Sequence, residues 1–154
     1  MSDQSRRKGL RDRLIGLLLL IPSAAVLTVA RWLTPDPSGV GTHQQLGMAS
    51  CAVLERMAVP CPMCGMTTTF SLMAHFRPLS AVMNQPFGVV LFLITVVLAV
   101  VGLAELVRPG KLLRRLVLWT LDRDLALAGT LLAMMIAAWV YKIALMREML
   151  PWGP

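Results

Sequence analysis

Three long apolar stretches limit what this chain can fold into. They are residues 14–33, 87–106 and 125–146, and each contains a single charged residue close to one end. A helix that crosses a bilayer needs about 20 mostly apolar residues. Backbone groups in lipid must form hydrogen bonds within their own segment, so a helix is the structure that suits each stretch. The sequence therefore predicts an all-α membrane protein with three transmembrane helices and the lipid bilayer as its first partner.

The third stretch has polar features that we assign to the membrane surface. Its single charge is Lys142, whose long side chain can extend to the headgroups. Trp139 and Tyr141 are aromatic residues with a polar tip, a type that is enriched where the bilayer meets water. We expect Trp139 and Tyr141 to serve as interface anchors.

The composition supports the membrane class. The chain has 154 residues, of which 56% are hydrophobic and 15% are charged. Soluble domains have about 45–50% apolar and about 25% charged residues. This difference excludes a disordered chain, a coiled coil and an ordinary cytosolic enzyme. The formal net charge of +7 then needs an explanation other than nucleic-acid binding.

The positive charges are concentrated in two segments. Ten of the 15 Lys and Arg residues lie in the tail 1–13 and in the connector 107–124, whereas the loop 34–86 contains two. Short cytoplasmic loops of membrane proteins carry the excess of Lys and Arg. We therefore expect a multi-pass protein of the cell (inner) membrane, with a cytoplasmic N-terminus and connector. The loop 34–86 and the tail 147–154 would be extracytoplasmic, and nucleic acid is not an expected partner.

Two segments leave alternatives open. The first apolar stretch, with its basic tail, is predicted to be a signal anchor, and a cleaved signal peptide is the alternative. The connector mixes basic and apolar residues, so it suits either a short helix on the inner membrane surface or a loop that only sets the orientation.

All three cysteines lie in the loop 34–86, at Cys51, Cys61 and Cys64. Segment 61–65 reads Cys-Pro-Met-Cys-Gly, a spacing that brings two sulfurs to one side of a tight turn. Proline fixes φ in that turn, and Gly65 permits a left-handed step after it. Residues 66–76 are too short and too polar to span, so they predict a short interfacial or re-entrant helix.

Four chemistries fit these cysteines. Cys51, Cys61, Cys64 and His43 form a Cys₃His set, which suits tetrahedral Zn²⁺ in a structural site. A disulfide between Cys51 and either other cysteine would suit an oxidising compartment. A Cys-x-x-Cys pair before a helix also suits redox chemistry. Finally, thioether ligands could favour Cu(I), since six methionines lie in the same loop, at Met48, Met57, Met63, Met66, Met73 and Met83.

Segment 61–67, Cys-Pro-Met-Cys-Gly-Met-Thr, resembles a bacterial membrane-protein family of unknown function. Its signature is Cys-Pro-x-Cys-Gly-x-Thr-Arg, then a short helix, Asn-Pro and a transmembrane helix. Residues 41–43, residues 46–47 and Cys51 are also similar to this family, and the resemblance covers roughly residues 36–106. Here Thr68 replaces the Arg, and Gln85 is inserted between Asn84 and Pro86. The resemblance implies a membrane location and no established activity.

These observations lead to two functional hypotheses. The leading one is a non-enzymatic scaffold or accessory subunit that acts with a membrane-protein partner. Its cysteine-bearing loop would form a structural cap, closed by a metal or by a disulfide, on the extracytoplasmic face. The alternative is a membrane thiol–disulfide oxidoreductase that uses Cys61 and Cys64.

Overall fold

The computed structural model describes residues 3–110 and 112–149, and within them every regular element is a helix. The remaining residues, among them the end of the predicted tail 147–154, lie outside the described residues. The predicted all-α class is therefore confirmed. The seven α-helices of the described chain are α1 Asp3–Trp32, α2 Ala52–Met57, α3 Met66–Ala74, α4 Pro78–Asn84, α5 Pro86–Val107, α6 Leu112–Leu121 and α7 Asp124–Met149.

Three of these helices are long and apolar enough to cross a membrane. The qualifying segments are Gly9–Trp32, Pro86–Val107 and Asp124–Arg147, in α1, α5 and α7. They contain the three predicted stretches almost completely. The first helix differs most from its prediction, because α1 begins at Asp3 and includes most of the predicted basic tail. Helix formation in that tail needs no apolar face, since Gln, Arg and Lys are themselves good helix formers.

The chain divides into two compact units. One unit consists of the chain up to Thr28 together with Leu93–Ala128. In it α1 and α5 approach at Gly16 and Gly102, where a Cβ on Gly102 would lie 2.7 Å from the Gly16 carbonyl oxygen. Only glycine permits this backbone approach, which is a common way for membrane helices to pack.

The same unit contains a buried carboxylate near the end of α5. Glu105 is fully buried, and its carboxylate accepts hydrogen bonds from the backbone N–H groups of Gly110, Leu112 (3.0 Å) and Leu113 (2.7 Å). Helix α6 therefore begins on an acidic acceptor, which satisfies N–H groups that a helix start leaves unpaired. The connector thus contains a helix, one of the two structures expected for it.

The second unit consists of Val29–Phe92 and the chain from Gly129. The predicted short helix is present as α3, and Ser71 of α3 donates to the Leu33 carbonyl at 2.5 Å. Phe70 and Phe92 form an edge-to-face pair with centroids 5.4 Å apart, so α3 packs against the start of α5. The cysteine-bearing loop is therefore folded onto the helix ends of its own unit.

The loop is also more helical than the sequence predicted. It contains a short 3₁₀ helix, Thr42–Leu46, and the helices α2 and α4. Each of these has seven residues or fewer, which is too short to show a helical hydrophobic period.

Candidate metal centre

The turn at Cys61–Gly65 has the geometry that its sequence predicts. The Cys64 N–H donates to the Cys61 carbonyl at 2.9 Å, and Gly65 has a φ of +85°. Gly65 precedes α3, and a Cβ at this position would lie 2.7 Å from the Gly39 carbonyl oxygen. Both the left-handed backbone and the close contact therefore require glycine here.

The three cysteine sulfurs converge. The Cys61 and Cys64 sulfurs are 3.5 Å apart, and the Cys51 sulfur completes a group whose members all lie within 4.8 Å of one another. Tetrahedral Zn²⁺ with Zn–S bonds of about 2.3 Å places its sulfurs about 3.8 Å apart. The observed group is therefore close to the size that one metal ion requires. All three thiols are free.

The thiols differ strongly in acidity. The pKa of Cys51 is lowered to about 7, chiefly because the backbone N–H of Leu54 donates to its sulfur, with further hydrogen bonds from Cys64 and Cys61. Burial raises the pKa of Cys64 to about 12, and its contacts with Cys51 and Cys61 act in the same direction. Cys51 is therefore much more acidic than Cys64.

A cavity of about 320 Å³ opens beside the sulfurs. His43 and Glu55 are on its wall, together with Met48 and Met63. The Nε2 atom of His43 lies 3.1 Å from the Ala49 carbonyl oxygen, and His43 is not a member of the compact sulfur group. The structure thus brings the three predicted cysteines together, whereas His43 as a fourth ligand stays a prediction.

Three side chains hold the backbone around the cysteine turn. The Trp139 indole N–H donates to the Pro60 carbonyl at 2.7 Å, and the Gln85 amide donates to the Pro62 carbonyl at 3.1 Å. The Asn84 amide donates to the Gly65 carbonyl at 3.1 Å. Sequence reasoning missed these roles and assigned Trp139 to the membrane interface. The Asn-x-Pro segment after α3 was the available signal for Asn84.

Lys142 is the largest departure from the sequence-based expectation. Its side chain is 2% exposed and does not extend to the surface of the described structure. The ammonium donates to Asn84 Oδ1 at 2.7 Å and to the Gly39 carbonyl at 3.3 Å. Asn84 also donates to Thr69 Oγ1 at 3.0 Å, so one buried amide connects α7, α3 and the cysteine turn.

The position that departs from the family signature is also buried. Thr68 is 1% exposed, and its hydroxyl lies 2.8 Å from the Thr42 hydroxyl. The Thr42 hydroxyl in turn accepts from the Asp36 N–H at 3.0 Å. Thr68 therefore joins α3 to the 3₁₀ helix through an internal hydrogen bond.

A comparison with known protein families covers the cysteine-bearing part of the chain. Residues 51–99 match DUF2752, a family of proteins of unknown function. The DUF2752 segment begins at Cys51, contains all three cysteines and ends within α5. It confirms the resemblance to a family of unknown function over about a third of the chain. No curated protein and no solved structure matches the chain.

Proposed function

We propose that this chain is a small integral membrane protein whose three cysteines bind one Zn²⁺ ion. The observation that carries the proposal is the convergence of the Cys51, Cys61 and Cys64 sulfurs within 4.8 Å. Thiolates are preferred ligands of Zn²⁺, and four-coordinate structural sites commonly contain three or four of them. His43, on the wall of the same cavity, is the proposed fourth ligand, since its Nδ1 atom can bind while Nε2 donates to Ala49.

The proposed role of the ion is structural. It would join the segment before α2 to the turn before α3, two parts of the loop that are ten residues apart in sequence. A rigid loop of this kind suits a scaffold or accessory subunit that presents a surface to a membrane-protein partner. The distribution of Lys and Arg supports an inner-membrane protein with a cytoplasmic N-terminus and the cysteine loop on the extracytoplasmic side.

Metal analysis of the purified protein tests this proposal. Protein expressed and purified without chelators should contain about one zinc per chain, and Cys64→Ser should lose most of it. A matched control is Ser50→Ala, because Ser50 lies on the same cavity wall and its hydroxyl donates to Glu55 instead of to a sulfur. Wild-type protein that remains folded, with reduced thiols and no bound metal, would contradict the proposal.

The second candidate is thiol–disulfide exchange, which the acidity of Cys51 favours. A thiol with a pKa of about 7 is substantially ionised at neutral pH and is a good nucleophile. The Cys51 thiolate would attack a disulfide of a partner protein, form a mixed disulfide and release one partner thiolate. Cys61 would then attack Cys51 in the mixed disulfide and release the second partner thiolate. This leaves a Cys51–Cys61 disulfide and transfers two electrons to the partner.

Trapping distinguishes exchange from metal binding. Cys61→Ser should accumulate the mixed disulfide with the partner, because the second step lacks its thiol. Cys51→Ser should accumulate none. Equal amounts of trapped adduct in both variants would exclude Cys51 as the attacking thiol.

A further inference from the structure

The Lys142 amine lies in the interior of the second unit, where its side chain is 2% exposed. Its two hydrogen-bond partners, the Asn84 amide oxygen and the Gly39 carbonyl, are both uncharged. A buried charge without an opposite charge is costly, because its desolvation is not offset. Ionisable residues within membrane spans are accordingly rare and usually mark a functional site. As an ammonium, Lys142 would therefore require an anion that its neutral hydrogen-bond partners do not supply.

The cysteine turn lies next to the ammonium. The Lys142 Nζ atom is 3.2 Å from the position that a Cβ on Gly65 would occupy, and Gly65 directly follows Cys64. Asn84 connects Lys142 to the cysteine turn, because its amide oxygen accepts from Lys142 and its amide N–H group donates to the Gly65 carbonyl. The cluster of sulfurs is thus the neighbouring group able to become negative.

Metal binding would make this cluster negative. Metals bind thiolates, so the cysteines lose their protons when an ion enters. Three thiolates with one divalent ion carry a net charge of −1, and this holds with a neutral imidazole or water as fourth ligand. One ammonium group balances that charge. The buried lysine and the metal–thiolate complex would therefore each remove the electrostatic cost of the other.

We propose that Lys142 is the counter-charge of the metal–thiolate complex and makes α7 part of the metal site. It acts through the thiolates as a positioning residue and does not ligate the ion. This inference rests on the proposed zinc site. It means that metal binding requires one positive charge beside the cysteine turn, and that Lys142 of α7 provides it.

Three variants in detergent-purified protein test the assignment. Lys142→Met removes the charge at similar volume, Lys142→Arg keeps it, and Tyr141→Phe is the matched control. The control removes a neutral hydrogen bond of the same helix, from the Tyr141 hydroxyl to the Met83 carbonyl. Two quantities are measured, the zinc dissociation constant by competition with a chelator and the melting temperature of the metal-free protein.

Lys142→Met should weaken zinc binding at least about tenfold, because a unit charge close to a partly buried site has an effect of at least that size. The melting temperature of the metal-free protein should change little, because removing an uncompensated buried charge offsets the loss of the hydrogen bond to Asn84. Lys142→Arg should recover most of the affinity, and Tyr141→Phe should change it less than threefold. A merely structural lysine gives the opposite pattern, a lower melting temperature in both Lys142 variants. That pattern, or unchanged affinity in Lys142→Met, would overturn the inference.

A metal-free readout separates this inference from the zinc proposal. If the wild-type protein binds no zinc, the zinc proposal fails, and the alkylation rate of the thiols by an uncharged reagent then decides the role of Lys142. A counter-charge to thiolates predicts that Lys142→Met is alkylated several-fold more slowly at pH 7 and equally fast at high pH. Equal rates of wild type and Lys142→Met at pH 7 would overturn the inference in that case.

Discussion

Replacing Asn84 with alanine should destabilise the second unit strongly. The substitution removes the two hydrogen bonds that the Asn84 amide donates, to Gly65 and to Thr69. It also removes the bond that Lys142 donates to Asn84 Oδ1. Neutral bonds contribute about 1 kcal/mol each and a bond to a charged group about 2 kcal/mol, so the expected loss is about 4 kcal/mol. Such a loss is a large part of the total stability of a typical domain, about 5–15 kcal/mol.

The matched control is Gln45→Ala. The Gln45 amide also makes two neutral hydrogen bonds, to the backbone N–H and carbonyl of Thr34, but it is exposed. Water can replace both bonds there, so the expected loss is below about 1 kcal/mol. Reversible unfolding in mixed micelles measures both free energies. Equal losses in Asn84→Ala and Gln45→Ala would refute the role of Asn84 as a buried connection between α7, α3 and the cysteine turn.

Three further predictions concern the cysteines, a glycine and a carboxylate. In metal-free protein, Cys51 should reach its half-maximal alkylation rate near pH 7, whereas Cys64 should react only near pH 12. The reactive form is the thiolate, which forms as the pH rises through the pKa of each cysteine. Equal alkylation rates of the two cysteines at pH 7, measured by mass spectrometry, would contradict this. Gly65→Ala should lose several kcal/mol more than Gly47→Ala, because φ is positive at both but only Gly65 is crowded, and φ alone costs about 1 kcal/mol. Similar unfolding midpoints would disprove the crowding. Glu105→Ala should accelerate hydrogen exchange at Gly110 and in the first turn of α6, since the backbone N–H groups of Gly110, Leu112 and Leu113 lose their acceptor. Unchanged protection at these positions would exclude a capping role.

The three long helices could be predicted because their signal is local. An apolar run of about 20 residues has few structural solutions, so length and composition suffice. The cysteine turn could also be predicted, since Pro62 fixes φ within it and Gly65 permits the left-handed step after Cys64. For these features, each residue acts within its own segment.

The side chains that hold the backbone around the cysteine turn could not be predicted from local sequence patterns. Trp139 contacts Pro60, about 80 residues away in sequence, and Lys142 contacts Gly39, about 100 residues away. A charged or aromatic residue near the end of an apolar helix usually lies at the membrane interface, and this prior gave the wrong expectation for Lys142. The hydrogen-bonded role of Glu105 was also missed, although its partners Gly110, Leu112 and Leu113 follow it closely in sequence. Buried polar contacts depend on which helices meet, and sequence spacing does not encode that.

The number of sulfur ligands around a bound metal tests the account most directly. X-ray absorption at the zinc edge of purified protein counts these ligands and measures their distances. The account predicts three sulfur ligands at about 2.3 Å and one lighter ligand at about 2.0–2.1 Å. Cys51→Ser should reduce the sulfur count by one. A bound zinc with only nitrogen and oxygen ligands, or a sulfur count that Cys51→Ser leaves unchanged, would contradict the three-cysteine site.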